Sequence, residues 1–197
     1  MPFLEVDSLR KSYGDTVALD ELTLSVERSQ IVATVGPDGA GKTTAMRIIC
    51  RLLDADSGQV TINDMDIARH HEDIKPIMGY MPQQFSLYPD LSVEENMKFY
   101  AGLYGVTGRA YREKRDYLYD FSNLAQFAGR RAYALSGGMK QKLALSCALI
   151  HDPELLILDE PTTGVDPVSR RQFWEILLQL KNDGVAILVS TPYMDEV

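Results

Sequence analysis

The sequence predicts an α/β protein with three parts: a parallel sheet covered by helices, a smaller antiparallel sheet near the N-terminus, and a helical insertion. Alternating apolar and polar runs fill the first third of the chain, and nearly continuous apolar runs alternate with helical patterns later on. From about residue 92 to 126 the composition shifts to aromatic and charged helix-like segments. With 197 residues and 45% hydrophobic content, the chain can bury a sizeable core.

The antiparallel sheet is predicted by alternation and by turn residues. Alternation places one face of a strand on the core and the other in water. Turn residues lie at 13–15 and 56–58. The predicted strands are FLEVDSL (3–9), LTLSVE (22–27) and GQVTIND (58–64).

The parallel sheet is predicted by strands that are apolar at nearly every position. Such strands are typical of a sheet covered on both faces, and helical periodicity lies between them here. The predicted strands are QIVATVG (30–36), ELLILDE (154–160) and VAILVS (185–190). The predicted helices are KTTAMRIICRLL (42–53), GGMKQKLALSCALI (137–150) and SRRQFWEILLQLKN (169–182), and YMDEV (193–197) is interpreted as the start of another.

Charge argues against a nucleic-acid partner. The net charge of −8 is unlike a surface that binds nucleic acid by bulk charge. The basic run at 108–115 is explained more simply as a helix with a solvated charged face than as a phosphate-binding patch. Tyr111, Tyr117 and Tyr119 are interpreted as packing residues rather than as a platform for stacked bases.

The cysteines and the hydropathy of the sequence indicate the redox compartment of the protein and whether the chain itself spans a membrane. Cys50 and Cys147 are far apart and form no CxxC pair, which predicts neither a disulfide framework nor a zinc site and favours a reducing compartment. No run of about 18 apolar residues occurs. If the protein works at a membrane, we expect other chains to span it.

A glycine-rich loop between a predicted strand and a predicted helix carries the strongest chemical signal. Residues 36–43, GPDGAGKT, fit the pattern GxxxxGK[ST]. Glycines let successive N–H groups point at phosphate oxygens, and the helix N-terminus adds partial positive charge. We expect Lys42 to reach the β- and γ-phosphates and Thr43 to offer its hydroxyl to Mg²⁺.

Two acids, Asp159 and Glu160, end the second buried strand. Because ligands bind at the carboxyl ends of parallel strands, we expect these carboxylates to face the same phosphates as the loop. Asp159 is predicted to hold Mg²⁺ through water, and Glu160 to polarise the attacking water.

A second helix start raises an open question. Ser136, Gly137 and Gly138 place a hydroxyl and exposed N–H groups ahead of a helix, which is a second anion-binding end. Either this is a plain N-cap, or it grips the phosphate of a nucleotide held by another chain. Spacing alone does not decide between the two.

The strings GPDGAGKTT, YMPQ, LSGGMKQK, LLILDEPTTGVDP and ILVST, in this order, resemble the ATP-binding cassette of ABC transporters. The resemblance implies a P-loop NTPase (RecA-like) core, ATP and Mg²⁺ as cofactors, and one ABC ATP-binding domain over residues 1–197 with a helical subdomain at about 90–137. It also implies further strands and helices after residue 197, so that the cassette's C-terminal part is expected to be missing here.

The resemblance also implies site residues. The expected catalytic residues are Glu160 and Gln83, and the expected metal site comprises Thr43, Gln83 and Asp159. The expected nucleotide-binding residues are Tyr13 at the adenine; Gly36, Pro37, Asp38, Gly39, Ala40, Gly41, Lys42, Thr43 and Thr44 of the Walker A loop; Ser136, Gly137, Gly138 and Gln141 of the signature; and Asp166 of the D-loop.

Within the family, LYPDLSVEENMKFYAGLYG and GVDPVSRRQFWEIL are similar to the ATPases of drug and ABC-2 type exporters, especially the YbhF-like multidrug exporters, whose two cassettes lie in one polypeptide. The resemblance implies an ATPase on the inner face of the membrane that sandwiches ATP with a second cassette, as a homodimer or as the N-terminal cassette of a tandem protein. Membrane-spanning permease subunits would be its other partners. The alternatives are a soluble ABC ATPase of another process and a regulatory cassette that binds nucleotide without turnover.

Pro192 departs from the family pattern. After ST, at the exit of the last strand, the family normally has a switch histidine, and His70, His71 and His151 lie elsewhere in the sequence. Proline ends strands, so one interpretation is a tolerated strand terminator. The other is a degenerate catalytic site that works beside a competent partner. Asp38, where the family often has Asn, adds a negative charge to the phosphate loop.

Overall fold

The computed structural model describes residues 2–84 and 87–194, and YMDEV lies mostly outside them. The strands are β1 Leu4–Tyr13, β2 Thr16–Val26, β3 Ile31–Val35, β4 Ser57–Ile62, β5 Met65–Asp66, β6 Met78–Met81, β7 Leu155–Asp159 and β8 Ala186–Thr191. The α-helices are α1 Lys42–Ile49, α2 His71–Ile74, α3 Val93–Leu103, α4 Gly108–Ser122, α5 Gly137–Leu149 and α6 Pro167–Asn182. Short 3₁₀ turns lie at Lys75–Ile77, Ala125–Phe127 and Ala132–Ala134.

The strands form two sheets, as the sequence predicts. The antiparallel sheet has the order β2-β1-β4-β5, and the second sheet, with the order β3-β8-β7-β6, is parallel throughout. Because all four strands of the second sheet run the same way, their carboxyl ends meet at one edge. The loops after β3, β6, β7 and β8 therefore leave the sheet on the same side.

The centre of the parallel sheet is covered on both faces. Alternate residues of β7 and β8 belong to different core clusters: Leu156 and Ile187 pack on the side of α3 to α6, and Ile157 and Leu188 on the side of α1 and the antiparallel sheet. Every residue of β7 and β8 is buried. Continuous apolar runs in these strands follow directly from two-sided burial.

Some bounds of the predicted elements are wrong: β1 continues to Tyr13 and β2 begins at Thr16, so both strands are longer than predicted. β3 packs on both faces as predicted, with Ile31 and Ala33 on one core cluster and Val32 on the other, but it stays half-buried because it lies at the end of the described sheet. The helix predicted over residues 42–53 ends at Ile49, and Arg51 adopts a left-handed φ of 57° that no α-helix continues through.

The helical insertion is confirmed as α3 and α4. A capping box starts α3, with Ser92 Oγ accepting from the Glu95 amide at 3.1 Å and the Glu95 carboxylate accepting from the Ser92 amide at 2.8 Å. The basic run at 108–115 forms the first half of α4 and includes an ion pair between Arg109 and Glu113. The interpretation as a solvated helix face is therefore confirmed.

The tyrosines of α4 mostly pack, as predicted. Tyr111 and Tyr119 are buried, and both hydroxyls donate to the carboxylate of Glu94 on α3. Burial and the hydrogen bond to Glu94 raise the pKa of Tyr111 well above its ordinary value. Tyr117 is the exception, because 42% of it is exposed and its ring stacks on Phe121 at the surface.

Both cysteines are buried free thiols. Burial raises the pKa of both thiols, which keeps them protonated and unreactive. Over residues 2–84 and 87–194, no helix has the length and apolar character needed to cross a bilayer.

Candidate functional site

The loop between β3 and α1 wraps around the side chain of Lys42. This lysine is only 8% exposed, and its Nζ donates to the carbonyl oxygens of Gly36 at 2.6 Å and Pro37 at 2.9 Å. Gly41 precedes it with φ 84°, and a Cβ there would lie 2.2 Å from the carbonyl oxygen of Ala18. Only glycine fits this position. The loop therefore holds an ammonium group at the start of a helix, where phosphate oxygens are favoured.

Glu160, the residue directly after β7, forms an ion pair with that ammonium group. Its carboxylate is 4% exposed, and Oε1 lies 3.2 Å from Lys42 Nζ. Oε2 accepts from Gln83 Nε2 at 2.9 Å and from Thr163 Oγ1 at 3.2 Å. Glu160 has φ 48°, in the left-handed region that side chains seldom adopt. Such strain at a buried acid is a feature of functional sites.

Asp159 is completely buried, and one of its two carboxylate oxygens accepts a hydrogen bond. Its Oδ1 accepts a hydrogen bond of 2.7 Å from Ser190 Oγ. Its Oδ2 is buried and has no hydrogen-bond partner among the residues that the structure describes. Because buried polar atoms are nearly always paired, this oxygen indicates a site for a cation or its hydration shell.

A cavity of about 330 Å³ joins Lys42 and Glu160, and Asp159 is not among its lining residues. It brings together most of the predicted Walker A residues with Gln83, the predicted Q-loop residue, and Glu160 of the predicted Walker B end, Asp159-Glu160, which are far apart in the sequence. Its lining residues are Ala18, Asp38, Gly39, Gly41, Lys42, Thr43, Thr44, Gln83 and Glu160. Of these, only Ala18 was not predicted from the sequence.

A larger cavity, of about 760 Å³, lies elsewhere and includes none of the predicted site residues. Two ion pairs lie on its rim, between Arg28 and Glu154 at 2.7 Å and between Lys114 and Asp152. The predicted site residues therefore converge on the smaller cavity and not on the larger one.

The predicted signature residues lie apart from that cavity. Ser136 caps α5, and its Oγ accepts from the Met139 amide at 3.4 Å. Ser136 and Gly137 are exposed, Gln141 is half-buried, and none of residues 136–141 lines the cavity. The structure thus places this helix end at the surface, away from the chain's own lysine loop.

Asp166 and Tyr13 also lie outside the cavity lining. Asp166 caps α6, where its Oδ1 accepts from the amides of Val168 at 3.1 Å and Ser169 at 2.9 Å. Hydrogen bonds from Ser169, and then from Val168, hold the pKa of the Asp166 carboxyl below its ordinary value. Tyr13 ends β1 and is 51% exposed.

Pro192 follows β8 directly and is half-buried. None of the three histidines lines the cavity. His151 lies by the amino end of β6, where its ring stacks on Tyr104 and contacts the Met78 carbonyl at 3.1 Å. The amino ends of the parallel strands lie on the side of the sheet opposite to their carboxyl ends, where Glu160 is placed. Burial lowers the pKa of His151, as in a packed core histidine.

Sequence reasoning missed two hydroxyls of the site. Thr163 donates to Glu160, and Ser190 bonds both to the Asp159 carboxylate and to the Glu160 amide. Both residues lie in segments that carry the family resemblance, LLILDEPTTGVDP and ILVST, but their spacing in the sequence does not predict which residues they contact.

Comparisons with known proteins agree with this geometry. The family profile for ABC transporters matches residues 19–163. The chain is 46% identical over 182 residues to the probable multidrug ABC transporter ATP-binding protein YbhF of Escherichia coli, covering 92% of this chain and 32% of that protein. It is 38% identical over 195 residues to the Nod factor export ATP-binding protein I of Ralstonia nicotianae, covering 99% of this chain and 61% of that protein.

Linearmycin resistance ATP-binding protein LnrL of Bacillus subtilis is 34% identical over 194 residues, covering 98% of this chain and 62% of that protein. The chain therefore spans from about a third to about three fifths of these relatives. Among solved structures, an ATP-binding subunit of an ABC transporter superposes with a TM-score of 0.86 at 32% identity, covering 98% of this chain and 80% of that one. The chain belongs to the ATP-binding cassette family of ABC transporters.

Proposed function

We propose that this chain is the ATP-binding and ATP-hydrolysing domain of an ABC exporter, with ATP held between two cassettes. The observation that carries the proposal is the convergence of Lys42, Gln83 and Glu160 on one cavity beside the buried acid Asp159. A lysine at a helix N-terminus, an acid at a strand tip and a glutamine from a third segment form a phosphate-binding and hydrolytic set.

Lys42 is the group that we expect to bind phosphate. Its ammonium is already oriented by two backbone carbonyls, so little order is lost when a phosphate oxygen replaces Glu160 beside it. The glycines of the loop allow backbone N–H groups to approach the same phosphates.

The residues present also fit Mg²⁺. Asp159 offers a buried carboxylate oxygen that has no partner among the described residues, and oxygen donors are the ligands that this ion prefers. Thr43 and Gln83 line the cavity that Glu160, the next residue along the chain, also lines, and the amide carbonyl of Gln83 is a further donor. Bound there, the ion would neutralise phosphate charge.

Glu160 is the expected general base. Its carboxylate accepts from Gln83 and Thr163, which hold Oε2 in one orientation. A carboxylate so placed can accept a proton from an attacking water or polarise it. Gln83 takes part by orienting Glu160 as well as by contacting bound ligand.

The expected partners are a second cassette and membrane-spanning permease subunits. The exposed start of α5 supports the first, since Ser136 and Gly137 leave N–H groups that the chain's own cavity does not use. Exposed aromatic rings close after the Q-loop support the second, because Tyr88 and Phe99 stack edge to face at 4.8 Å on the protein surface. A domain with these partners works on the inner face of the membrane.

The exporter assignment rests on the relatives, whose names include multidrug transport, Nod factor export and linearmycin resistance. The proposed domain organisation is one cassette over residues 1–197. Its helical subdomain, at about 90–137, is supported by α3 and α4.

Pro192 favours a second candidate, a cassette whose own site binds ATP but turns it over slowly. Proline has no side-chain hydrogen-bond donor, and no histidine lines the cavity in its place. Comparing ATP affinity with turnover separates the candidates, because a regulatory cassette keeps the first and lacks the second.

The direct test of the proposed function is ATP binding by Lys42→Ala. Removing the ammonium should weaken ATP affinity by about a hundredfold, since hydrogen bonds to charged groups each contribute roughly 1.5–3 kcal/mol. Fluorescent ATP is titrated against both proteins, with melting temperatures measured in parallel because the variant leaves Glu160 without its cation. Lys75→Ala, at an exposed lysine, is the matched control. Equal affinities for wild type and folded Lys42→Ala would refute the assignment.

A further inference from the structure

Ser190 lies between the two acids of the site. It stands on β8 directly beside Asp159 of β7 and is completely buried. Its Oγ donates to Asp159 Oδ1 at 2.7 Å and accepts from the Glu160 amide at 2.9 Å. A single hydroxyl therefore uses its donor on one acid and its acceptor on the other.

The bond to Asp159 decides which oxygen of that carboxylate is free. With Oδ1 held by Ser190, Oδ2 is the buried oxygen left without a partner among the described residues. Carboxylates that ligate metals are themselves hydrogen-bonded, and such bonds fix the orientation of the ligating oxygen. Rotation of the carboxylate would cost the charge-assisted bond to Ser190.

The bond to Glu160 stabilises an unfavourable backbone conformation. Glu160 has φ 48°, and its amide donates both to Ser190 Oγ and to the Ser190 carbonyl oxygen at 3.2 Å. Left-handed φ at a residue with a side chain persists only where the surroundings hold it. Ser190 thus supports the turn that brings the Glu160 carboxylate to Lys42.

Strand formation alone does not require serine at this place. Residues 186–189 of β8 are all apolar, and a buried hydroxyl without partners would be costly, so the hydroxyl of Ser190 is explained by its two bonds. We infer that Ser190 is a positioning residue that locks the metal-side acid Asp159 and the water-side acid Glu160 into one unit. The inference rests on the proposed function, because it assumes that Asp159 faces Mg²⁺ bound with ATP.

The test is the Mg²⁺ dependence of ATP binding by Ser190→Ala in the full chain. Fluorescent ATP is titrated in EDTA and in saturating Mg²⁺, and Mn²⁺ affinity of the protein–ATP complex is measured by electron paramagnetic resonance. We expect affinity in EDTA to stay within about twofold, and the metal-dependent gain to fall by about tenfold, as for other residues that orient metal ligands.

Ser122→Ala is the matched control. Ser122 is also a buried serine, and its Oγ donates to the Leu118 carbonyl within α4, away from the acids. It loses the same atoms and should leave both titrations unchanged. A double variant adds a check: in an Asp159→Asn background, Ser190→Ala should have little further effect on Mn²⁺ affinity.

The opposite results are equally clear. Unchanged metal dependence in Ser190→Ala, or equal losses in EDTA and in Mg²⁺, would overturn the inference. If Ser190→Ala does not fold, Ser190→Thr decides: it keeps the hydroxyl, and loss of metal dependence in the folded threonine variant would overturn it too. Failure of the proposed function looks different, because wild type would then bind ATP no better than Lys42→Ala.

Discussion

Helices α1 and α5 both begin with glycine and a hydroxyl nearby, yet only α1 has Lys42, Gln83 and Glu160 placed around its start. The start of α1 surrounds a buried lysine and faces Gln83 and Glu160 across a cavity. The start of α5 exposes Ser136 and Gly137, and neither residue lines the cavity at α1. The comparison teaches that a helix N-terminus attracts anions but becomes a site only when a cation and opposing groups are fixed beside it.

The start of α5 is nevertheless closely packed against α6. A Cβ at Gly138 would lie 2.6 Å from Cβ and Oγ of Ser169 on α6. Ser169 also donates its amide to Asp166, which caps the same helix. The predicted signature and D-loop residues are therefore packed close together, as the proposed half-site completed by a second cassette would require.

The largest effect is expected from a substitution at the exposed start of α5. Glu160→Gln is used as the background because it should block hydrolysis. In this background we expect ATP to drive pairing of two cassettes. Ser136→Arg should abolish the pairing, because the arginine side chain at the exposed helix end would occupy the place of the phosphate bound by the partner cassette. Pairing is measured by analytical ultracentrifugation of the intact protein, together with its partner cassette if it has one.

Thr107→Arg is the control for that experiment, since Thr107 is an exposed N-cap residue of α4. It should pair normally. If Ser136→Arg pairs as well as Thr107→Arg does, α5 has only a plain N-cap, and the signature assignment is wrong.

The next effect concerns the strand tip next to the α1 site. Pro192→His would introduce a side-chain donor where proline has none, and one preorganised donor typically contributes about a hundredfold to a thousandfold in rate. We expect turnover at this site to rise at least about tenfold while ATP affinity changes little. Single-turnover hydrolysis is measured in the intact protein after the catalytic glutamate of any partner cassette is neutralised.

A wild-type site that already turns over at the rate of histidine-containing cassettes, with no gain from Pro192→His, would make Pro192 a strand terminator only. A gain accompanied by an equal gain in affinity would also count against the idea, because the donor is expected to act on charge that develops during the reaction.

How much of the α1 site could be predicted follows from which contacts are local. Lys42 was predictable because glycine spacing between a strand and a helix fixes its place along the chain. Glu160 was predictable because the carboxyl ends of parallel strands share an edge. The strands themselves were recognisable from two-sided burial of β7 and β8.

Contacts across strands were not predictable. Ser190 meets Asp159 only because β8 pairs with β7 in one register, and sequence periodicity does not give register between strands so far apart in the chain. Strand order has the same limit, so the place of β3 at the end of the described sheet, and its half-buried state, were not predictable. The helix limit at Ile49 depends on a left-handed residue, Arg51, that carries no turn signature.

The smallest expected effect sharpens the comparison inside the α1 loop itself. Asp38 is exposed, lines the cavity, and places a negative charge beside the expected phosphates, which the start of α5 does not have. Asp38→Asn should therefore tighten ATP binding by about two- to fivefold, as expected for like charges interacting through water. Raising the ionic strength from about 0.05 to about 0.5 M should shrink the difference, because salt screens exposed charges. Asp64→Asn removes one exposed charge elsewhere and controls for net charge. An affinity gain that is equal in both variants would assign the effect to net charge, and a gain that salt leaves unchanged would assign it to loop conformation instead of repulsion.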